Sequence, residues 1–165
     1  GEPPERETVE EMQEIILSHP EVIGVHDMVI YKYGPGKEFA SFHAEVDSGE
    51  DFLEIHDVID DIEQEILNRL GITATAHMDP IEMDNPIRIR MQQVIAKAIE
   101  SIDGVDSFHD LRVAPGKNHT KIIFDLVLEP GCRTDRDRIL EIVSDAVKQE
   151  NNTYEIAVNF DNLYI

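Results

Sequence analysis

The chain has 165 residues, 41% of them hydrophobic, enough for one ordinary domain or two small ones with packed cores. Acidic residues outnumber basic ones 35 to 14, a formal net charge of −21, which argues against nucleic acid or an anionic membrane surface as partner and favours cations. Cys132 is the single cysteine, so a disulfide framework and a cysteine-built zinc site within one chain are excluded, and a metal site is expected to be made of histidine and carboxylate.

No apolar run approaches the roughly 18–20 residues needed to cross a bilayer, so the sequence reads as a soluble chain without a signal peptide. Its opening, GEPPERE, is compatible with a cut-out fragment, which leaves room for a membrane region outside it.

Thr8 and Glu11 read as a capping box for a first helix, with an apolar stripe of Val9, Met12, Ile15 and Ile16. Strands are predicted over residues 25–33 and 38–47, around a Gly-Pro-Gly turn. Ile55, Ile59, Ile62 and Ile66 recur at helical spacing and predict a second helix over 50–70. A third strand follows over 72–79. The remaining elements repeat that order: helix 87–101, strands 105–114 and 119–129, helix 134–149, strand 154–160.

The sequence itself repeats in the same places. GVHDMVIY (24–31) recurs as SFHDLRVA (107–114), and the turn YGPGKEF (33–39) as APGKNHT (114–120). SFHAEVDSG (41–49) recurs as IFDLVLEPG (123–131), and ATAHMDP (74–80) as IAVNFDN (156–162). Four matching blocks in one order predict two tandem copies of one fold, residues 1–82 and 83–165, joined near MDNP (83–86). Each copy is expected to be an α+β unit of α-β-β-α-β order, an open sandwich with two helices on one face of a three-stranded sheet.

Alternation along the strands then sorts the side chains. Ala40, Phe42, Ala44 and Val46 should face the helices, as should Ile72, Ala74, Ala76 and Met78. Phe39, Ser41, His43 and Glu45, with Thr73, Thr75, His77 and Asp79, should lie on the uncovered face. His26 falls where the first strand begins, and His56 lies one turn into the second helix, beside its apolar stripe. Histidine and aspartate converging in an acidic chain suit zinc and neighbouring divalent cations; ordinary polar surface is the alternative. His19, before Pro20, and His119, in a turn, read as surface residues. Lys37 and Lys117 read as solvated turn residues, since no Gly-rich run opens a helix there.

The second copy keeps His109 for His26 and Asp161 for Asp79, and has Asp125 for His43. Arg138 replaces His56 and Asn159 replaces His77, and an arginine has no lone pair for a cation. Ile123 and Val127 replace Ser41 and Glu45, so an exposed, more apolar face suited to an interface is expected there. The second copy therefore reads as degenerate, with a weak site from His109, Asp125 and Asp161 still open.

HPEVIGVHDMVIYKYGPGKEFASFHAEVD, then EIHDVIDDIEQEI, then ATAHMDP resembles the cytosolic C-terminal domain of cation diffusion facilitator (cation efflux) transporters throughout residues 8–80. The resemblance rests on a V-H-D strand start, an H-x-E strand, a helical H-D-x-x-D and a closing H-x-D-P in combination. A tandem second copy departs from the usual single domain. The resemblance implies a ferredoxin-like fold that follows a six-helix membrane region exporting divalent cations, often zinc, in exchange for protons. It implies dimerisation and metal binding near the dimer interface, on the cytoplasmic face of the membrane. It places metal ligands at His26, His43, His56, His77 and Asp79, divided between a site using His26, His43 and Asp79 and one using His56 and His77, with Asp79 able to bridge.

The expected function is thus a regulatory domain of a divalent-cation efflux transporter, not an enzyme. The cation is zinc, with Mn, Fe, Co, Ni or Cd as alternatives. The expected partners are a second copy, or the other repeat as an internal pseudo-dimer, and the transporter's own membrane domain. The rival is a purely structural dimerisation module whose metal ligands are vestigial.

Overall fold

The computed structural model describes residues 4–163; the first three residues of the GEPPERE opening lie outside them. The chain divides into two compact units at Ile81/Glu82. The first runs α1 (Arg6–Leu17), β1 (Val22–Lys32), β2 (Glu38–Asp47), α2 (Phe52–Leu70) and β3 (Ile72–Ile81). The second runs α3 (Pro86–Glu100), β4 (Val105–Pro115), β5 (Thr120–Leu128), α4 (Arg136–Glu150) and β6 (Tyr154–Asn162). Each unit has the α-β-β-α-β order of a ferredoxin-like domain, with a three-stranded sheet ordered β1-β2-β3 or β4-β5-β6. The first two strands pair antiparallel and the last two parallel. A parallel pair needs a crossover, and α2 and α4 supply it.

Local chemistry fixes the helix ends. The Asp51 carboxylate accepts from the amides of Leu53 and Glu54 at the start of α2, and Gly71 ends it at φ 70°, a left-handed conformation suited to glycine. Asn85 caps α3 with Pro86 in its first turn, and Asp135 caps α4. The capping box expected from Thr8 and Glu11 does not form. Helix α1 starts earlier, with Glu5 at its N-cap and no side-chain cap, and Thr8 is already inside the helix.

The helices cover one sheet face. In the first unit Met12, Ile15 and Ile16 of α1 and Ile55, Ile59, Ile62 and Ile66 of α2 pack with Ala40, Phe42, Ala44 and Val46 of β2 and Ile72 and Ala74 of β3. The predicted β2 and β3 parity is the observed one. The second unit builds its own core from Met91, Ile95, Ile122, Phe124, Leu126, Ile139, Val143 and Val147, among others. Each such fully buried side chain contributes about 1.5–3 kcal/mol of transfer free energy.

Two expectations about surfaces are corrected. Among the described residues, nearly all the exposed large apolar side chains belong to the first unit, including Val29, Tyr31, Tyr33, Phe39, Phe52 and Leu53; only Met83 and Ile89 belong to the second. Val127, expected on an exposed apolar face of the second copy, is buried, and Ile123 is half-buried. The substitutions Phe39 to Lys121 and Val29 to Arg112 between the copies explain the direction: the aromatic face went with the first repeat. His19, expected as plain surface, meets Glu65 at 3.0 Å and ties the end of α1 to α2.

Candidate metal centre

The centre lies on the uncovered sheet face of the first unit. Strands β2 and β3 are in register with His43 beside His77 and Glu45 beside Asp79. Side chains two residues apart on a strand share a face, so these four stand together by pairing alone. His26 arrives from β1, opposite His43. It sits well inside the strand, which begins at Val22 rather than at 25 as the sequence suggested.

His26 reaches that face through a bulge. It pairs with His43, but the next pair is Val29 with Ser41, so β1 uses one residue more than β2. That extra residue reverses the alternation: His26 and Ile30 have the same parity, yet Ile30 joins the core and His26 joins the site. Asp27 in the bulge has φ 50°, the left-handed region that aspartate tolerates better than most residues. The second unit repeats the device between His109 and Arg112, with Asp110 at φ 54°.

Asp79 is the hub. Its Oδ2 lies 2.9 Å from His26 Nε2 and 3.0 Å from His43 Nδ1, and its Oδ1 lies 3.6 Å from His77 Nε2. Its side chain is 13% exposed and that of His26 only 6%, whereas His77 is 71% exposed. The imidazole rings of His26 and His43 are 5.0 Å apart, and those of His43 and His77 4.8 Å. A carboxylate that accepts from an imidazole fixes the ring's tautomer and orientation and raises its basicity as a ligand.

The electrostatics follow from burial against charge. Burial alone would lower the His26 pKa; the hydrogen bond to Asp79 and the charges of Asp27, Asp79 and Glu45 outweigh it and hold it above 6.5. Burial would raise the Asp79 pKa, but hydrogen bonds from His26 and His43 hold it below 3.8.

Two sets of three donors have ligand atoms all within 4.8 Å of one another on this face: His43, His77 and Asp79, and His26, Asp27 and His43. Imidazole nitrogens with carboxylate oxygens and no thiolate fit a divalent cation of borderline hardness. Asp27 is a candidate that the sequence reading missed. Its place next to His26 in the V-H-D run was the one signal available, since the bulge that turns it toward the site is visible only in the structure. His56 is placed elsewhere, on the exposed surface of α2 with Asp57 and Asp60, and its Nδ1 is 3.5 Å from Asp60. Among the described residues no such set joins His56 with His77.

In the second unit His109 lies 3.5 Å from Asp125 and 3.7 Å from Asp161, and the three offer donors within 4.8 Å of one another. Asn159, in the place of His77, donates to Asp161 at 3.3 Å, and Arg138, in the place of His56, pairs with Glu141.

No curated protein sequence matches the chain. A solved structure, the metal-bound C-terminal domain of the CzcD transporter from Thermotoga maritima, is 25% identical, with a TM-score of 0.40, covering 50% of this chain and 100% of its own. The family described as cation efflux protein, cytoplasmic domain, matches residues 4–81 and again residues 90–162. The chain therefore belongs to the cation efflux protein family, as two successive copies of its cytoplasmic domain.

Proposed function

We propose that this chain is the cation-responsive regulatory part of a divalent-cation efflux transporter, on the cytoplasmic side of the membrane, and that it takes up ions through His26, His43, His77 and Asp79. The observation that carries the reading is Asp79, a mostly buried carboxylate on which two imidazoles converge at 2.9 and 3.0 Å. Zinc suits this donor set best, and Mn, Fe, Co, Ni and Cd are the competing ions. Asp27 enlarges the set beside His26 and His43, and His56 remains in it as a separate, exposed station on α2.

A bound ion supplies positive charge against the carboxylates of Asp27, Glu45 and Asp79. The residues of this face then lose their mutual repulsion, and a closed arrangement of repeats or of paired chains is favoured to the extent that its ion affinity exceeds that of the open one. The second repeat is the degenerate partner: His109, Asp125 and Asp161 keep a weaker set, without the imidazoles of His43 and His77. The role is binding, not catalysis, as the family's transporter context supports.

Calorimetric zinc titration of the whole chain and of a His43→Ala/Asp79→Ala variant tests the reading. Binding that is strong in the parent and lost or much weakened in the variant is expected; equal binding by both sinks it. An assembly module with vestigial ligands is the second reading, favoured by the exposed Tyr31, Tyr33 and Phe39, with Tyr33 edge-on to Phe39 at 5.8 Å. Scattering with and without zinc separates the two, since unchanged shape and mass support the module.

A further inference from the structure

We infer that Glu45 is a further member of the cation site, a carboxylate seated against His26 in room that Gly24 leaves for it. The inference rests on the metal-binding reading above and adds to it a residue that the ligand set omits. Glu45 pairs with Gly24 across β1–β2 and with Asp79 across β2–β3, so it occupies the uncovered face between two strands that carry ligands. Its side chain is 14% exposed, and its Oε1 lies 3.8 Å from His26 Nε2, the same nitrogen that Asp79 meets at 2.9 Å. One imidazole nitrogen thus faces two carboxylates. Gathering carboxylates and withdrawing them from water is costly unless positive charge joins them.

Gly24 is the second observation. It is not among the glycines with positive φ, so backbone conformation does not require glycine there. Space is tight there instead: a Cβ on Gly24 would stand 3.0 Å from Glu45 Oε2 and 3.5 Å from its Cδ, so the carboxylate would have to give by a few tenths of an ångström to make room for it. The second repeat supplies an internal control. It keeps the same register shift just before this pair, but the pair is Ser107 with Val127. Where the carboxylate is gone, so is the glycine. The two positions change together, which is expected if the glycine serves the carboxylate rather than the strand. A site with both Asp79 and Glu45 beside its imidazoles is harder and more anionic than one with Asp79 alone, which favours small divalent cations over monovalent ones.

The test uses the whole chain, competition titration with Zn2+ against a chromophoric chelator, and the visible spectrum of bound Co2+. Glu45→Gln is expected to weaken zinc binding about 10–100-fold, the usual effect of losing a carboxylate that supports a metal site. It should also alter the Co2+ spectrum, which a merely structural substitution leaves unchanged. Glu45→Asp should restore part of the affinity. Gly24→Ala, which adds one methyl group and touches no ligand charge, should weaken binding in the same direction but by less. Glu45→Gln and Gly24→Ala chains that bind Zn2+ as tightly as the parent, with an unaltered Co2+ spectrum, would overturn the inference and leave the proposed function standing. A parent chain that binds no Zn2+ would overturn both.

Discussion

Asp79→Asn keeps the shape of the side chain between His26 and His43 and removes its charge. Two contacts, at 2.9 and 3.0 Å, change from charge-assisted to neutral. A hydrogen bond to a charged group is worth about 1.5–3 kcal/mol and a neutral one about 1, so losing the charge at both costs about 2 kcal/mol in the metal-free chain. That is roughly a 30-fold rise in local opening. The cost should depend on pH with a definite sign. His26, with its pKa held above 6.5, contributes stability that is complete below 6.5 and lost as pH rises through the raised value. Asp79, held below 3.8, contributes stability that is complete above 3.8 and lost as pH falls through the lowered value. Between these limits both contributions are present, so the variant suffers most there. Amide hydrogen exchange, corrected for intrinsic rates and run in chelator at about pH 5.5 and about pH 8.5, reads this strand by strand. Protection in β2 and β3 should fall at the lower pH, fall less at the higher, and stay unchanged in β5 and β6. A loss shared by the second repeat, or one equal at both pH values, refutes the reasoning.

Asp27→Gly removes both a left-handed side chain and a carboxylate; folding should be nearly unaffected, because glycine takes φ 50° without strain, while the His26 pKa measured by NMR titration should fall. Phe42→Ala, in the middle of the first core, should cost about 3–5 kcal/mol in denaturant unfolding, whereas Thr75→Ala on the uncovered face of the neighbouring strand should cost almost nothing.

Much of this was legible in the sequence because two periodicities carry it. The parity of 40–46 and 72–78 put Ala40, Phe42, Ala44, Val46, Ile72 and Ala74 on the core side where they are found, though not the buried Ile81 beyond the predicted end of β3, and the same parity put His43, His77 and Asp79 on one face. The β1 contribution was not legible in that way. A bulge breaks alternation, and VHDMVI contains no glycine to announce it, so His26 and Asp27 find their places only through the backbone turn at Asp27. Thr8 misled because a Thr-x-x-Glu pattern marks a helix start only where the chain before it is not already helical, and here Arg6 and Glu7 extend the helix upstream. The link between Glu45 and Gly24 was hidden for another reason: the two are far apart in the chain and come together only through the register of β1 on β2.

The parallel pairing of β2 with β3 has a consequence for how the protein is made. His43 and His77 become neighbours only after α2 has folded across and β3 has docked in one register. A slip of one residue would turn His77 and Asp79 into the core and bring Ala76 and Met78 out. Pairings between strands distant in sequence form late, because the loop between them must first be closed. The helices and the β1–β2 hairpin can therefore be complete while the ligands are still scattered, so capacity to take up a cation should be among the last properties to emerge during refolding, and a chain that has acquired it has thereby certified the alignment of its sheet.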